Sequence, residues 1–256
     1  MSKDNKTKKI GVALSGGGTR GIAHLGALKA LEEAGLKPDT VAGVSAGAIA
    51  GALYASGLKP ETILDIFMDA KLSNQAKFSL PHKGLLSLGG MESLLKEHLK
   101  EKKIEDFPIK FFVGATNLNK AEMHYFDKGE AVPRVIASAS IPILFSPKEI
   151  DGDLYVDGGV MNNLPVVPLQ DECDLIIGVL VSTARPQDTI KNAVSVAKRV
   201  FQLSVLSTVI ESVKNCDIVV RTEKLSDYDI LDNSKAKKVF KIGYEATKQE
   251  LEKQGY

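Results

Sequence analysis

The sequence predicts a single α/β domain built as a three-layer α/β/α sandwich, a sheet with helices on both faces. Three observations lead there. Strand-like and helix-like runs alternate from the first residues onward, the pattern of strands joined by helical crossovers. The 256 residues are 44% hydrophobic and 25% charged, enough apolar material for a sizeable core in a globular chain. No internal repeat, linker or low-complexity tract divides the sequence, so residues 1–8 read as a polar tail and 9–256 as one domain.

Each run has its own warrant. Lys9–Ser15 (KIGVALS) is a strand-length apolar run, read as a buried strand. Between Gly21 and Ala34, Ile22, Leu25, Leu28 and Leu31 recur at helical spacing, and Gly35 stops the helix. Thr40–Val44 reads as a second short strand, and Ala46–Ser56 as a helix ended by Gly57. Pro60 and Glu61 open a third helix with Ile63, Ile66 and Phe67 on one face, since proline suits the first turn. Residues 71–90, with Pro81, Gly84, Gly89 and Gly90, read as irregular, and Met91–Leu99 as helical. Phe111–Thr116 and Glu122–Phe126 read as neighbouring strands, Val132–Ser140 as a helix, and Leu154–Val156 and Leu175–Val181 as strands. Thr189–Asn215 is a long apolar-periodic stretch of one or two helices. Asp217–Val220 is the last strand and Tyr244–Lys253 a charged closing helix.

Composition excludes several functions. The 33 basic and 32 acidic residues give a formal net charge of +1, so no strong field draws the chain to nucleic acid. Cys173 and Cys216 lie far apart and form no CxxC, which indicates neither a disulfide framework nor a zinc site. No metal-ligand cluster stands out, and no cofactor is expected. Residues 1–9 (MSKDNKTKK) lack the apolar stretch of a secretory signal. Val41–Leu58 is uncharged, but its apolar members are mostly alanine among glycines and serines, too weak for a membrane span. The expectation is a cytoplasmic protein whose membrane contact, if any, is peripheral at the inner face. Its oligomeric state is not readable.

Three glycine-rich motifs carry the chemistry. Gly16-Gly17-Gly18-Thr19-Arg20-Gly21 lies between the first strand and the first helix and is a literal GxGxxG. A dinucleotide site also needs an acid at the end of the second strand, and Asp39 precedes that strand instead. Two readings remain. One is a glycine turn that lets a helix pack closely on a strand; the other is a row of backbone N–H groups suited to negative charge. Gly43-Val44-Ser45-Ala46-Gly47 is a GxSxG between a strand and a helix, a context that puts Ser45 on a sharp turn with its hydroxyl exposed. The α/β-hydrolase order of serine, acid, histidine cannot be assembled, because His24, His82, His98 and His124 all precede the best acid, Asp157. Asp157-Gly158-Gly159 leaves a strand, either as an ordinary Asp-Gly turn or with its carboxylate aimed inward.

In this order SGGGTRG, GVSAG and DGG resemble the patatin-like phospholipase family, above all its short bacterial members and the catalytic domain of neuropathy target esterase. The segments ASASIP (137–142), FSP (145–147) and VMNNLPV (160–166) agree, and the resemblance spans about residues 9–182. It implies a patatin-like fold and a serine acyl hydrolase that works through a Ser–Asp dyad and an acyl-enzyme, without histidine. By motif position Ser45 is the implied nucleophile and Asp157 the general base. The implied oxyanion hole is the backbone of Gly16, Gly17, Gly18 and Thr19, and Arg20, Gly21, Gly43, Gly47, Gly158 and Gly159 support the motifs. The implied substrate is a lipid ester, a phospholipid or lysophospholipid. A short-chain carboxylesterase or thioesterase, and a non-catalytic adaptor on the same fold, stay open as alternatives.

Weaker candidates surround these motifs. Arg20 either holds a phosphate headgroup or braces its loop, and His24, one turn into the first helix, reads as a packed histidine. Asp151 and Asp153 read as a turn before the strand, and the two cysteines as core residues. Residues 78–88 are an apolar loop, either tucked onto the core or serving as a lid that faces lipid, and whether 184–215 covers the site is not readable from sequence. Lys3, Lys6, Lys8 and Lys9 either touch anionic lipid or are simply solvated.

Overall fold

Strand β1 (Ile10–Leu14) is buried along its whole length, because its residues serve both faces of a sheet. The computed structural model describes residues 8–74, 88–100, 102–181, 190, 192–222, 225 and 233–256. After β1 come α1 (Ile22–Glu33), β2 (Thr40–Val44), α2 (Ala46–Ala55), α3 (Pro60–Asn74), α4 (Leu88–Leu99), β3 (Lys110–Asn117) and β4 (Glu122–Phe126). Then follow α5 (Ala131–Ser138), β5 (Lys148–Ile150), β6 (Asp153–Asp157), α6 (Val167–Gln170) and β7 (Leu175–Leu180). The chain closes with α7 (Ala193–Ser207), α8 (Val209–Lys214), β8 (Ile218–Arg221) and α9 (Asn233–Gln254).

The strands form one sheet in the order β5-β6-β3-β2-β1-β7-β8, with β4 paired to β3. Strands β3, β2, β1, β7 and β8 are mutually parallel, whereas β4 and β6 run antiparallel to β3. Alternate residues of each strand serve opposite layers. Val12, Leu14, Ile177 and Val179 join the larger core with Leu25, Leu28, Leu53 and Val239. Ala13, Ala42, Ile176 and Leu180 join a smaller core with Leu164, Leu169 and Val209. The fold is therefore the expected α/β/α sandwich, with a thick helical layer over one face and a thin one over the other.

Several boundaries differ from the sequence reading. Helix α3 continues to Asn74 and α4 begins at Leu88, so the irregular stretch expected over 71–90 is helical at both ends. Residues 75–87, with most of the expected apolar loop and His82, lie outside the described residues. Within 189–215 the described residues form α7 and α8, and α9 starts well before Tyr244. Strand β5 and helix α6 were not expected; each is four residues or fewer, too short for periodicity to register. Asp151 and Gly152 form the two-residue turn between β5 and β6, both with positive φ (53° and 86°), as a tight hairpin demands. No helix among the described residues is long and apolar enough to cross a membrane.

The register places the site. Strand β2 ends with Val44 paired to Gly114, and β6, running the other way, ends with Asp157 paired to the next residue, Ala115. The residue after β2 and the last residue of β6 thus meet at one level of the sheet.

Candidate active site

Ser45 occupies the corner between β2 and α2 with φ 54° and ψ −120°, a strained conformation for a residue with a side chain. The corner is affordable because its neighbours are small. A Cβ on Gly47 would collide with the carbonyl oxygens of Leu14 and Ser15, and one on Gly43 with the backbone of Gly47 and Ala48. The Ser45 N–H donates to Ser138 Oγ at 2.9 Å, and Ser138 Oγ–H donates in turn to the Gly114 carbonyl at 2.6 Å. Ser138 therefore ties the corner to β3.

Asp157 is 2% exposed and Ser45 is 6% exposed. The Ser45 side chain favours the charged form of the Asp157 carboxylate, and the Gly159 N–H donates to Asp157 Oδ1 at 2.8 Å. Burial pushes the Asp157 carboxyl up to about 6, and these two neighbours oppose the rise. The backbone of Asp157 is pinned as well: its N–H donates to the Ser140 carbonyl at 3.0 Å, and its carbonyl accepts from Thr116 Oγ1 at 3.1 Å. Residues 138–140, at the end of α5, thus hold both partners, Ser45 through a side chain and Asp157 through a carbonyl. Gly158 lies against β3, where a Cβ would come within 2.5 Å of the Gly114 carbonyl oxygen.

The glycine loop adjoins Ser45. A Cβ on Gly16 would stand 3.2 Å from Ser45 Cβ and collide with Asn163 Oδ1. A Cβ on Gly21 would stand 2.7 Å from Ala46 Cβ, so the loop also packs on the start of α2. Gly18 has φ 58° with open space around it; the backbone angle, not crowding, favours glycine there. Residues 18–21 form a 3-10 turn that leads into α1. The N–H groups of Gly17, Gly18 and Thr19 precede its first hydrogen-bonded turn and have no partner within it. Gly16 differs, since its N–H is already donated to the Asn163 carbonyl at 3.2 Å. Arg20, half-buried, sits inside the turn and donates its N–H to the Gly17 carbonyl at 3.3 Å.

The other candidates lie elsewhere. His24 is fully buried in α1, with Nε2 2.8 Å from the Ser15 carbonyl; burial pulls the imidazole down to about 4 against that hydrogen bond. It is a packed neutral histidine behind the loop. Asp153 pairs with Lys120 at 2.7 Å and accepts from Asn117 Nδ2 at 2.9 Å, four residues up the strand from Asp157. Cys173 and Cys216 are half-buried against the smaller core, where burial pushes the Cys216 thiol up to about 12.

Sequence reasoning assigned no role to Ser138, Ser140 or Asn163, although it quoted the segments that contain them. Their signal is weak because small polar residues after a helix look like turn chemistry. Only tertiary contact shows what they hold.

A family model described as patatin-like phospholipase matches residues 12–169. Lysophospholipase NTE1 of Coccidioides immitis is 27% identical over 281 residues, covering 96% of this chain and 18% of that protein. Lysophospholipase NTE1 of Candida glabrata is 31% identical over 189 residues, 71% of this chain and 11% of that protein. The chain thus spans less than a fifth of the length of these curated relatives. Among solved structures, VipD from Legionella pneumophila has a TM-score of 0.54 at 19% identity, covering 96% of this chain and 67% of that one. Human GIVD cytosolic phospholipase A2, in complex with a methyl γ-linolenyl fluorophosphonate inhibitor, has a TM-score of 0.54 at 10% identity, covering 97% and 58%. At such identities these two share the fold.

Proposed function

The chain belongs to the patatin-like phospholipase family, and from that premise we propose that it is a serine acyl hydrolase cleaving lipid carboxylic esters through Ser45 and Asp157. One arrangement carries the reading: the sheet register brings Ser45, on its strained corner, to the level of the buried carboxylate of Asp157, whose proton affinity burial raises toward neutrality. A serine is a poor nucleophile until a base takes its proton. An ordinary aspartate, near 3.9, is a weak base for that task; a carboxyl near 6 is better matched while staying mostly ionised at neutral pH.

Ser45 Oγ attacks the ester carbonyl as its proton passes to Asp157. The oxyanion that forms is stabilised by the N–H groups of Gly17, Gly18 and Thr19, while Gly16, its own N–H committed, shapes the loop over Ser45. Losing one such donor costs about 100- to 1000-fold in rate. The intermediate collapses, Asp157 returns its proton to the departing alcohol, and an acyl-enzyme remains. Water, deprotonated by Asp157, then attacks the acyl carbonyl, and the proton returns to Ser45 Oγ as the fatty acid leaves.

The activity for which the relatives are named, lysophospholipase, supports a phospholipid or lysophospholipid as substrate. The test is fatty-acid release from lysophosphatidylcholine and from soluble short-chain esters. The expected outcome is turnover that rises with acyl length and falls by at least about 10⁴-fold in Ser45→Ala and Asp157→Asn. Turnover of short soluble esters alone would point to a general carboxylesterase, and turnover that survives Ser45→Ala would refute the assignment.

A further inference from the structure

Helix α7 carries two different faces. Its inner side packs on the turn after Asp157, where Val205 Cγ2 lies within 3.1 Å of the position a Cβ on Gly159 would take. Its outer side presents Val196, Val200 and Leu203, spaced i, i+4 and i+7, all exposed, with Val200 at 59%. A globular helix normally turns such a stripe inward. Two further exposed apolar groups flank the same residues. Met161 follows Gly158-Gly159-Val160 and donates its N–H to the Gly158 carbonyl. Ile143 and Leu144 follow Ser140, whose carbonyl holds the Asp157 N–H. Ile143 is 56% exposed at φ 75°, an outlier for a β-branched residue, held by N–H donation from Leu144 and Phe145 to the Ile141 carbonyl.

We propose that the outer stripe of α7, with Ile143, Leu144 and Met161, is a lipid-docking rim that seats the Ser45–Asp157 site on a bilayer surface. The inference rests on the lipid-ester reading above and adds the surface that would bring the site to its substrate. Three observations choose a bilayer over a protein. Met161, Ile143 and Leu144 are tied through short stretches of backbone to residues holding Asp157 or Gly158, and α7 itself packs on Gly159 through Val205, so these elements border the site. The fifteen residues of α7 include Lys198 and Arg199 and no acid, a composition suited to a lipid headgroup layer. The side chains expose on the order of 500 Å² together, patch enough for shallow insertion but short of the ~800 Å² per partner of a stable protein complex.

The test is co-sedimentation with vesicles of phosphatidylcholine, and of its equal mixture with phosphatidylglycerol, for wild type, V200S/L203S and I143S/L144S. Hydrolysis of p-nitrophenyl butyrate, a soluble ester, runs alongside. The expected result is vesicle binding by wild type, weakened at least about tenfold in each double variant, with soluble-ester turnover unchanged as proof of an intact fold and site. Equal binding by all three proteins, or no binding by wild type to either vesicle, would overturn the proposal. A wild-type dimer in light scattering that V200S/L203S converts to monomer would overturn it too, because a second copy would then cover the stripe. Loss of vesicle binding in the variants, with no turnover of either the soluble ester or lysophosphatidylcholine by wild type, would sustain the rim and refute the hydrolase reading instead.

Discussion

Asp157 sits between opposing influences, and that balance makes two predictions. Its carboxyl is raised above the ordinary value by burial, while the Ser45 side chain and the Gly159 N–H favour the charged form. Because the base must be ionised to accept the serine proton, kcat/KM for a soluble ester is expected to fall about tenfold per pH unit below about 6 and to level off above it. The same shift acts on stability with a definite sign. A raised folded-state value means that the protonated form favours folding; that contribution is complete below 3.8 and is lost as pH rises through about 6. Ionised Asp157 therefore costs the folded state on the order of 3 kcal/mol at pH 8. Asp157→Asn can still accept from Gly159 and bears no charge. It is expected to resist urea better than wild type at pH 8 and to lose that advantage near pH 4. An equal midpoint for the two proteins at pH 8 would show that the carboxylate carries no such cost.

Ser138 makes a separate prediction at the same scale. Ser138→Ala removes the acceptor of the Ser45 N–H and the donor to the Gly114 carbonyl. Leaving a buried group unsatisfied costs about 1–3 kcal/mol, and misplacing a nucleophile by about 1 Å costs up to about 100-fold in rate. The expected signature is a kcat lowered tenfold or more at unchanged KM, with Ser138→Thr recovering most of it. A matching loss in both variants would mean that the hydroxyl does not position Ser45.

The elements differ in how far the sequence announces them. Helix α1 and strands β1 and β7 were legible because leucine, isoleucine and valine recur in them in short buried runs or at helical spacing, and β2 because its valines lie in a short uncharged run before the serine corner. The first part of α9 was not. That helix buries a narrow stripe of Ala236, Val239, Gly243, Thr247 and Leu251, three of the five small or polar, within a lysine-rich surface. Its contact with α1 depends on glycine on both sides. A Cβ on Gly26 would collide with the Phe240 carbonyl oxygen, and one on Gly243 with the Ala23 carbonyl oxygen. Alanine normally favours a helix over glycine by about 1 kcal/mol. Here the obstacle is backbone that cannot step aside, and overpacking costs about 1–3 kcal/mol or more. Gly243→Ala is therefore expected to destabilise despite its better helix propensity, read as a lower urea midpoint. A raised midpoint would show that α9 shifts freely on α1.

In the whole molecule the site is assembled by sheet register. The sequence shows three motifs and their order, because glycine, serine and aspartate at strand ends are local signals. It does not show that β2 and β6 meet end to end beside β3, that residues 138–140 hold both Ser45 and Asp157, or that Asn163 takes the Gly16 N–H. Those facts belong to tertiary contact between segments distant in the chain. They make the central claim specific: Ser45 is a nucleophile activated by Asp157 and faced by the loop of Gly16 to Thr19. The most direct measurement is intact-mass labelling with a fluorophosphonate probe on wild type, Ser45→Ala and Asp157→Asn. The account predicts a single adduct on wild type, none on Ser45→Ala and a slowed one on Asp157→Asn. An adduct that persists in Ser45→Ala, or none on folded wild type even with lipid present, would contradict it.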